Sequence, residues 1–172
     1  SIDGLEEDHN LIRMNDESFK RVIQTFHRLR ELKLEYPNLN IGIITTFTSF
    51  NQYKMLDMMK FIKKELNPDS FTLSLTRGNP KNKISKEIDI EQYKKITTIK
   101  NKIFKKGYDN FYLSSLRNAN ETIIEDIVYK TIKYNKFQTP CYAASLNAII
   151  SPEGDVFGCE ILNNKIGNIR DV

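Results

Sequence analysis

Ile41-Gly-Ile-Ile-Thr-Thr-Phe-Thr48 is rich in β-branched residues and nearly continuously apolar at its start. This pattern is typical of a strand that is buried on both faces, as in a parallel sheet. Apolar residues then recur at helical spacing over residues 53–66, and Phe71-Thr-Leu-Ser-Leu-Thr76 alternates as a further strand does. The order of strand, helix and strand predicts a parallel βαβ unit with a right-handed crossover.

The region upstream of this unit predicts a further strand end and a further helix. Residues 1–3 read as the exit of a strand, because a turn signal follows them at Asp3-Gly4. His9 is then expected in a loop. Apolar residues recur at helical spacing from Phe19 to about Leu34, and three residues could cap that helix: Asn15, Asp16 and Ser18.

The carboxyl ends of the predicted strands carry the candidate functional residues. Functional side chains in parallel sheets gather at these ends, although each such residue also has an ordinary role in turns. By position the candidates are Ser1, Asp3, Thr46, Thr48, Asn51, Thr76 and Arg77.

A second informative segment is Cys141-Tyr-Ala-Ala-Ser-Leu-Asn-Ala-Ile-Ile-Ser-Pro-Glu-Gly-Asp-Val-Phe-Gly-Cys159, which holds the only two cysteines of the chain. Two short apolar runs, residues 147–150 and 156–157, flank a turn. Pro152 sets φ in that turn, and Gly154 supplies a position with positive φ. The segment therefore predicts a β-hairpin that brings the two cysteines towards each other.

Three kinds of site are open to this cysteine pair. The two side chains could be buried structural cysteines, the common fate of free cysteine in a reduced protein. A disulfide would need an oxidising compartment, and no segment resembles a secretory signal. Thiolates also select zinc or iron–sulfur clusters, but a Cys-x-x-Cys knuckle is absent and two thiolates do not complete a four-ligand site.

Composition limits the class of protein. The 172 residues are 40% hydrophobic, which is enough for one core of ordinary size or for one and a half small domains. The net charge of +4 is spread over lysines that lie between acidic residues, so nucleic-acid binding is not expected. No apolar run approaches the ~20 residues that span a bilayer, so no membrane association is expected. Two cysteines in a lysine-rich chain without a targeting segment predict a cytoplasmic location.

Motifs at both ends of the chain resemble one family. The twelve residues between Cys141 and Gly154, and the four between Gly154 and Cys159, are similar to the opening half of the SPASM or twitch auxiliary-cluster domain of radical S-adenosylmethionine enzymes. Ile166-Gly-Asn-Ile-Arg170 resembles the step after the second cysteine of that domain.

The beginning of the chain extends this resemblance. Ser1-Ile-Asp-Gly4 followed by His9-Asn-Leu-Ile-Arg13 resembles the fourth-strand segment of these enzymes, although Asn10 stands where the family has Asp. Thr45, Thr46 and Asn51 match the family's fifth-strand pattern.

The resemblance implies an α/β fold with three parts. Residues 1–110 would form the C-terminal half of a partial (βα)6 barrel, and residues 111–140 would form a helical linker. Residues 141–172 would begin the SPASM/twitch iron–sulfur domain with its β-hairpin.

The resemblance also implies a chemistry and its sites. Ser1 and Arg13 would contact the methionine part of S-adenosylmethionine, with Thr46 and Asn51 as further cofactor contacts. Cys141 and Cys159 would be ligands of an auxiliary [4Fe–4S] cluster. Such enzymes receive an electron from a donor such as flavodoxin or ferredoxin. They generate a 5′-deoxyadenosyl radical that modifies a peptide or a small-molecule substrate.

One departure from the family limits this expectation. Radical S-adenosylmethionine chemistry needs a Cys-x-x-x-Cys-x-x-Cys loop for its barrel cluster, and the chain has no such loop. We therefore expect these residues to be part of a longer enzyme and to be inactive by themselves. The alternative is a non-catalytic α/β binding module whose cysteines bind zinc or are buried.

Overall fold

A computed structural model describes residues 1–104, 114–159 and 161–171, and its fold is mixed α/β. The helices are α1 (Glu6–Arg13), α2 (Ser18–Glu35), α3 (Met55–Phe61), α4 (Ile90–Ile103) and α5 (Ser114–Lys133). A π-helical turn, Ile62–Leu66, continues α3, and a 3-10 turn spans Lys83–Lys86. The strands are β1 (Gly42–Phe47), β2 (Ser70–Leu75), β3 (Ile149–Ile150), β4 (Asp155–Phe157) and β5 (Lys165–Asn168).

The first sheet is the predicted parallel pair. β1 and β2 run parallel in register from the pair Gly42–Ser70 to the pair Phe47–Leu75, and α3 lies between them in the chain. The strand, helix and strand order read from the sequence is therefore confirmed.

Residues 1–3 lie beside β1 at the edge opposite β2. The Ile2 amide donates a hydrogen bond of 3.1 Å to the carbonyl oxygen of Ile44, and the Thr45 hydroxyl donates to the Ile2 carbonyl oxygen. On the other edge the Phe47 carbonyl oxygen accepts from the Thr76 amide of the β2 side. The segment thus occupies the place of a third strand, as expected for a strand exit.

Helices cover one face of this sheet. Ile43 and Phe47 are buried in the core, with Phe26 of α2, Met55 of α3 and Tyr93 of α4 in the same cluster. The rings of Phe47 and Tyr93 meet edge to face with their centroids 5.4 Å apart. The core therefore lies between the sheet and the helical layer.

The prediction that β1 is buried on both faces is wrong. Ile44 keeps 52% of its surface exposed, and the burial of β1 alternates along the strand. The helices supply apolar side chains to one face, and none of the residues that the structure describes buries Ile44 on the other. The parallel pair therefore has a covered face and an open face.

The segment after Gly4 is a helix, so the expected loop at His9 is also wrong. Glu6, Glu7 and Asp8 lie in the first turn of α1, where negative charge is favourable to the helix dipole. A Cβ on Gly4 would lie 2.6 Å from the Cβ of Asp8, so the glycine lets the chain pass close to this helix.

The residue that caps α2 was not among the three expected. The helix begins at Ser18, but no side chain at its N-cap position accepts a hydrogen bond from its first turn. Instead the Asn10 Oδ1 atom of α1 accepts from the Phe19 amide at 2.8 Å. Sequence reasoning missed it because this partner comes from the preceding helix.

The predicted hairpin is present near the end of the chain. β3 and β4 are antiparallel, with Ile149 opposite Phe157, and the Ser151 amide donates to the Asp155 carbonyl oxygen across the turn at 2.9 Å. Gly154 has a φ of 87°, as the turn requires.

A third strand, which sequence reasoning did not predict, completes this sheet. β5 pairs antiparallel with β4. The Asn168 Nδ2 atom donates to the Asp155 Oδ1 atom at 2.6 Å and to the Glu153 carbonyl oxygen at 3.2 Å. Asn168, which follows the second cysteine in the chain, therefore joins β5 to the hairpin turn by hydrogen bonds.

Helix α5 lies within the predicted linker and packs against α4. The Lys100 side chain has 2% of its surface exposed. Its ammonium group pairs with the carboxylates of Glu121, at 3.2 Å, and Glu125. Nearer the surface, Lys94 pairs with Asp126 at 2.8 Å. The boundary predicted between residues 110 and 111 lies outside the described residues.

In the ranges that the structure describes, no helix combines the length and the apolar character needed to cross a membrane.

The buried ion pairs of Lys100 predict a large effect on stability. Lys100→Met should lower the free energy of unfolding by about 3–5 kcal/mol, because it leaves the carboxylate of Glu125 buried without its cation. Urea denaturation of the parent and variant measures this difference.

Lys94→Met is the matched control, since it removes an ion pair between the same two helices in a more exposed place. It should change stability much less than Lys100→Met. If both variants lose the same free energy of unfolding, burial of the ion pairs of Lys100 does not account for the loss.

Candidate functional site

The carboxylate of Asp3 joins the strand end to helix α1. Its side chain has 2% of its surface exposed. The Oδ1 atom accepts a hydrogen bond from the Thr46 amide at 2.8 Å. The Oδ2 atom accepts from the Arg13 Nε atom at 2.7 Å and also pairs with Nη2. Asp3 therefore holds an arginine of α1 beside the last residues of β1.

Arg13 lies at a cavity next to this carboxylate. The cavity has a volume of about 530 Å³, and its lining includes Arg13, Thr46 and Thr76. It lies at the carboxyl ends of β1 and β2, where ligands of open α/β sheets bind. The volume is in the range of small-molecule sites, and Arg13 keeps 41% of its side-chain surface exposed there.

The rim of this cavity is mixed in character. Leu11, Met14 and Phe50 contribute exposed apolar side chains, and Lys81 contributes a second cation. The Met14 backbone has a φ of 52°, in the left-handed region that costs a side-chain-bearing residue free energy. The cavity thus offers two cations and an apolar edge to a ligand.

Asn51 lies behind the cavity and is buried. Its Nδ2 atom donates to the carbonyl oxygens of Asp3, at 2.7 Å, and of Thr46, at 2.8 Å. Its Oδ1 atom accepts from the Thr48 amide at 2.9 Å. Both amide hydrogens are used within the protein, so these contacts support a role in holding the strand ends together. Its contact with a cofactor stays a prediction.

The structure therefore brings two of the four predicted cofactor residues to one cavity. Arg13 and Thr46 both line it. Ser1 is exposed and is not part of the lining, and Asn51 lies beneath it. Their contacts with a cofactor remain predictions.

His9 belongs to a motif found in the sequence, but sequence reasoning assigned it no role in the site. It has 1% of its surface exposed, and its Nδ1 atom accepts a hydrogen bond from the Asp3 amide at 3.1 Å. Because Nδ1 accepts, the proton lies on Nε2, which is 3.0 Å from the Ser18 hydroxyl. The available signal was spacing, since His9 and Arg13 are four residues apart and so share one face of a helix.

The pKa of His9 follows from these surroundings. Burial lowers the pKa of the imidazole below its ordinary value. The Asp3 carboxylate opposes this shift, and the Arg13 guanidinium reinforces it. The neutral ring that the Asp3 amide requires is therefore the favoured form.

Asn10 uses both polar atoms of its side chain within the protein. Its Oδ1 atom caps α2, and its Nδ2 atom donates to the Asp16 carbonyl oxygen at 2.6 Å. An aspartate could serve as the cap but has no donor for that carbonyl oxygen. The amide therefore makes a contact that the acid could not make.

The two cysteines lie at the open end of the hairpin. The Ala144 amide donates to the Gly158 carbonyl oxygen at 3.0 Å, which places the segment after Cys141 beside the residue before Cys159. A Cβ on Gly158 would lie 2.6 Å from the Cβ of Ala144, so this close approach requires glycine.

The surroundings of the cysteines bear on the three kinds of site. Cys141 is exposed and Cys159 is half-buried, and both are free thiols in this structure. The Ile161 amide donates to the Cys159 Sγ atom at 3.4 Å, a contact that suits a thiolate ligand. In the described parts of the chain, no three His, Cys, Asp or Glu side chains form a group that could hold a metal ion.

The lowered pKa of His9 predicts a pH dependence of stability. In the unfolded chain the imidazole has a pKa of about 6.5, so the unfolded state takes up the proton first as pH falls. The free energy of unfolding should therefore decrease below about pH 6.5. Urea midpoints at about pH 7.5 and pH 5.5 measure the change.

His9→Asn should remove this part of the pH dependence, because its Oδ1 atom can accept from the Asp3 amide and does not titrate. His27→Asn is the control, since His27 is exposed. An unchanged pH dependence in His9→Asn would contradict the assignment.

Comparison with known proteins found no matching family model, no matching curated protein and no matching solved structure. The function is therefore inferred from the motifs and from the geometry of the cavity and the hairpin.

Proposed function

We propose that the chain is part of a radical S-adenosylmethionine enzyme, and that the cavity at the strand ends binds the methionine part of the cofactor. The observation that carries the proposal is the Arg13 guanidinium. It is held by a buried carboxylate at a cavity where two parallel strands end. The motif that resembles the family's fourth strand is the segment that builds this arrangement.

The open face of the parallel sheet supports the proposal. In a closed barrel, helices cover the outside of the sheet, and ligands bind at the carboxyl-terminal ends of the strands. Here Thr46, Thr72 and Ser74 are not fully buried, while Ile43 and Leu73 are buried in the core. The proposed fold is the C-terminal half of a partial (βα)6 barrel, with the cavity on its inner side.

The proposed roles follow from the free atoms at the cavity. The Arg13 Nε atom and one hydrogen of Nη2 are directed at Asp3, which leaves further N–H donors for an anionic group such as a carboxylate. Thr46 adds a hydroxyl at the same wall. Asn51 holds the backbone of Asp3 and Thr46 in place.

The cysteines would supply two of the ligands of an auxiliary [4Fe–4S] cluster. Their accessibility, and the amide that donates to Cys159, fit thiolate ligands. When bound, the cofactor and a reduced cluster supply radical chemistry, with electrons from a donor such as flavodoxin or ferredoxin. The chain contributes orientation of the cofactor. The substrate would be a peptide or a small molecule.

Arg13→Ala tests the cofactor site. In the protein as its native source produces it, purified without oxygen, this variant should bind S-adenosylmethionine at least about tenfold more weakly. The loss is expected because a charged hydrogen-bond donor leaves the cavity. Equilibrium dialysis with labelled cofactor measures the affinity, and the iron content should not change.

Lys54→Ala is the control for Arg13→Ala. This variant removes the ion pair between Lys54 and Asp8. Asp8 lies on α1, as Arg13 does, but neither Lys54 nor Asp8 lines the cavity. Unchanged affinity in Arg13→Ala would remove Arg13 from the cofactor site.

Cys141→Ala and Cys159→Ala test the cluster assignment. Each variant of the same protein should lose about one cluster's worth of iron and sulfide, because each removes one thiolate ligand. Metal and sulfide analysis measures the loss. Equal iron in variant and parent would contradict the assignment, and stoichiometric zinc without sulfide would favour the binding-module alternative.

A further inference from the structure

Asp3 is fixed at three points besides its contact with Arg13. His9 accepts from its backbone amide, Asn51 donates to its carbonyl oxygen, and Thr46 donates to its Oδ1 atom. Only the Oδ2 atom is left, and that atom receives the arginine. The position of the guanidinium is therefore set by residues of β1, of the loop after β1 and of α1.

We propose that Asp3 and His9 are positioning residues: they hold the Arg13 guanidinium in the orientation in which it binds an anionic group in the cavity. This inference rests on the proposed function, because the anionic group is the carboxylate of the cofactor. His9 acts through Asp3, since its ring contacts the Asp3 backbone and is not part of the cavity lining.

The benefit of this arrangement is preorganisation. An arginine side chain has several rotatable bonds, and a free one would lose their freedom when a ligand binds. Arg13 is partly exposed, so packing alone does not order it. Its contact with a buried carboxylate orders the guanidinium before the ligand arrives.

An electrostatic role for Asp3 predicts the opposite effect on binding. The Asp3 carboxylate cancels the charge of Arg13, so it weakens the attraction of the cavity for an anion. Removing its charge would tighten anion binding if charge alone mattered. If Asp3 positions Arg13, the same change loosens the guanidinium and weakens binding. The sign of the change separates the two roles.

Asp3→Asn is the decisive variant. Its Oδ1 atom can still accept from the Thr46 amide, but an Nδ2 donor replaces the oxygen that faces Arg13. Asp8→Asn is the matched control, because it removes a carboxylate that pairs with Lys54 outside the cavity lining.

The first readout is independent of cofactor binding. In the 172-residue chain with labelled arginine, hydrogen exchange of the Arg13 Nε–H group is followed by NMR, and the signal is assigned by its loss in Arg13→Lys. The group should be protected in the parent and in Asp8→Asn, and exposed in Asp3→Asn. Equal protection in Asp3→Asn and the parent would overturn the proposal.

The second readout is the affinity for S-adenosylmethionine of the protein as its native source produces it, purified without oxygen. Asp3→Asn should bind it about tenfold more weakly than the parent, the effect of one hydrogen bond to a charged group. Tighter binding would overturn the positioning role. If the protein from its native source binds no cofactor while Nε–H protection of Arg13 in the 172-residue chain still depends on Asp3, positioning stands and the proposed function fails.

Variants of His9 keep the proposal testable if Asp3→Asn does not fold. His9→Leu removes the acceptor for the Asp3 amide but leaves the carboxylate, so Nε–H protection of Arg13 should fall. His9→Asn restores an acceptor and should restore protection. Equal protection in His9→Leu and the parent would remove His9 from the positioning role.

Discussion

The rest of the site depends on one buried charge, the carboxylate of Asp3. A buried carboxylate is tolerated only where both of its oxygens are paired or hydrogen-bonded. One oxygen accepts from the backbone of β1, and the other accepts from Arg13 at the end of α1. This requirement joins the first three residues to the sheet and brings α1 to the strand ends.

The polar groups around this carboxylate form a connected network. His9 and Asn51 bond the two backbone groups of Asp3, and Asn10 continues the network to the first turn of α2. Such networks specify a unique arrangement when every member has a partner. The polar residues between Asp3 and Arg13 therefore fix one loop and the first two helices.

In the hairpin of β3 and β4, a few glycine and asparagine residues likewise fix the backbone. Gly154 has the positive φ of the turn, and Gly158 lets the segment after Cys141 approach the second cysteine. Asn168 then ties β5 to the turn. Neither Cys141 nor Cys159 is fully buried by this arrangement.

The sequence by itself determined the parallel strand pair, helix α2 and the hairpin, because periodicity and turn residues act over a few neighbouring positions. Only the tertiary structure decided that β1 has an open face, that His9 lies in a helix and is buried there, and that Asn10 caps α2. It also placed Arg13 and Thr46 at one cavity and Asn51 behind it. These outcomes depend on contacts between residues far apart in the chain, such as Asp3 with Thr46. Patterns among neighbouring residues do not predict such contacts.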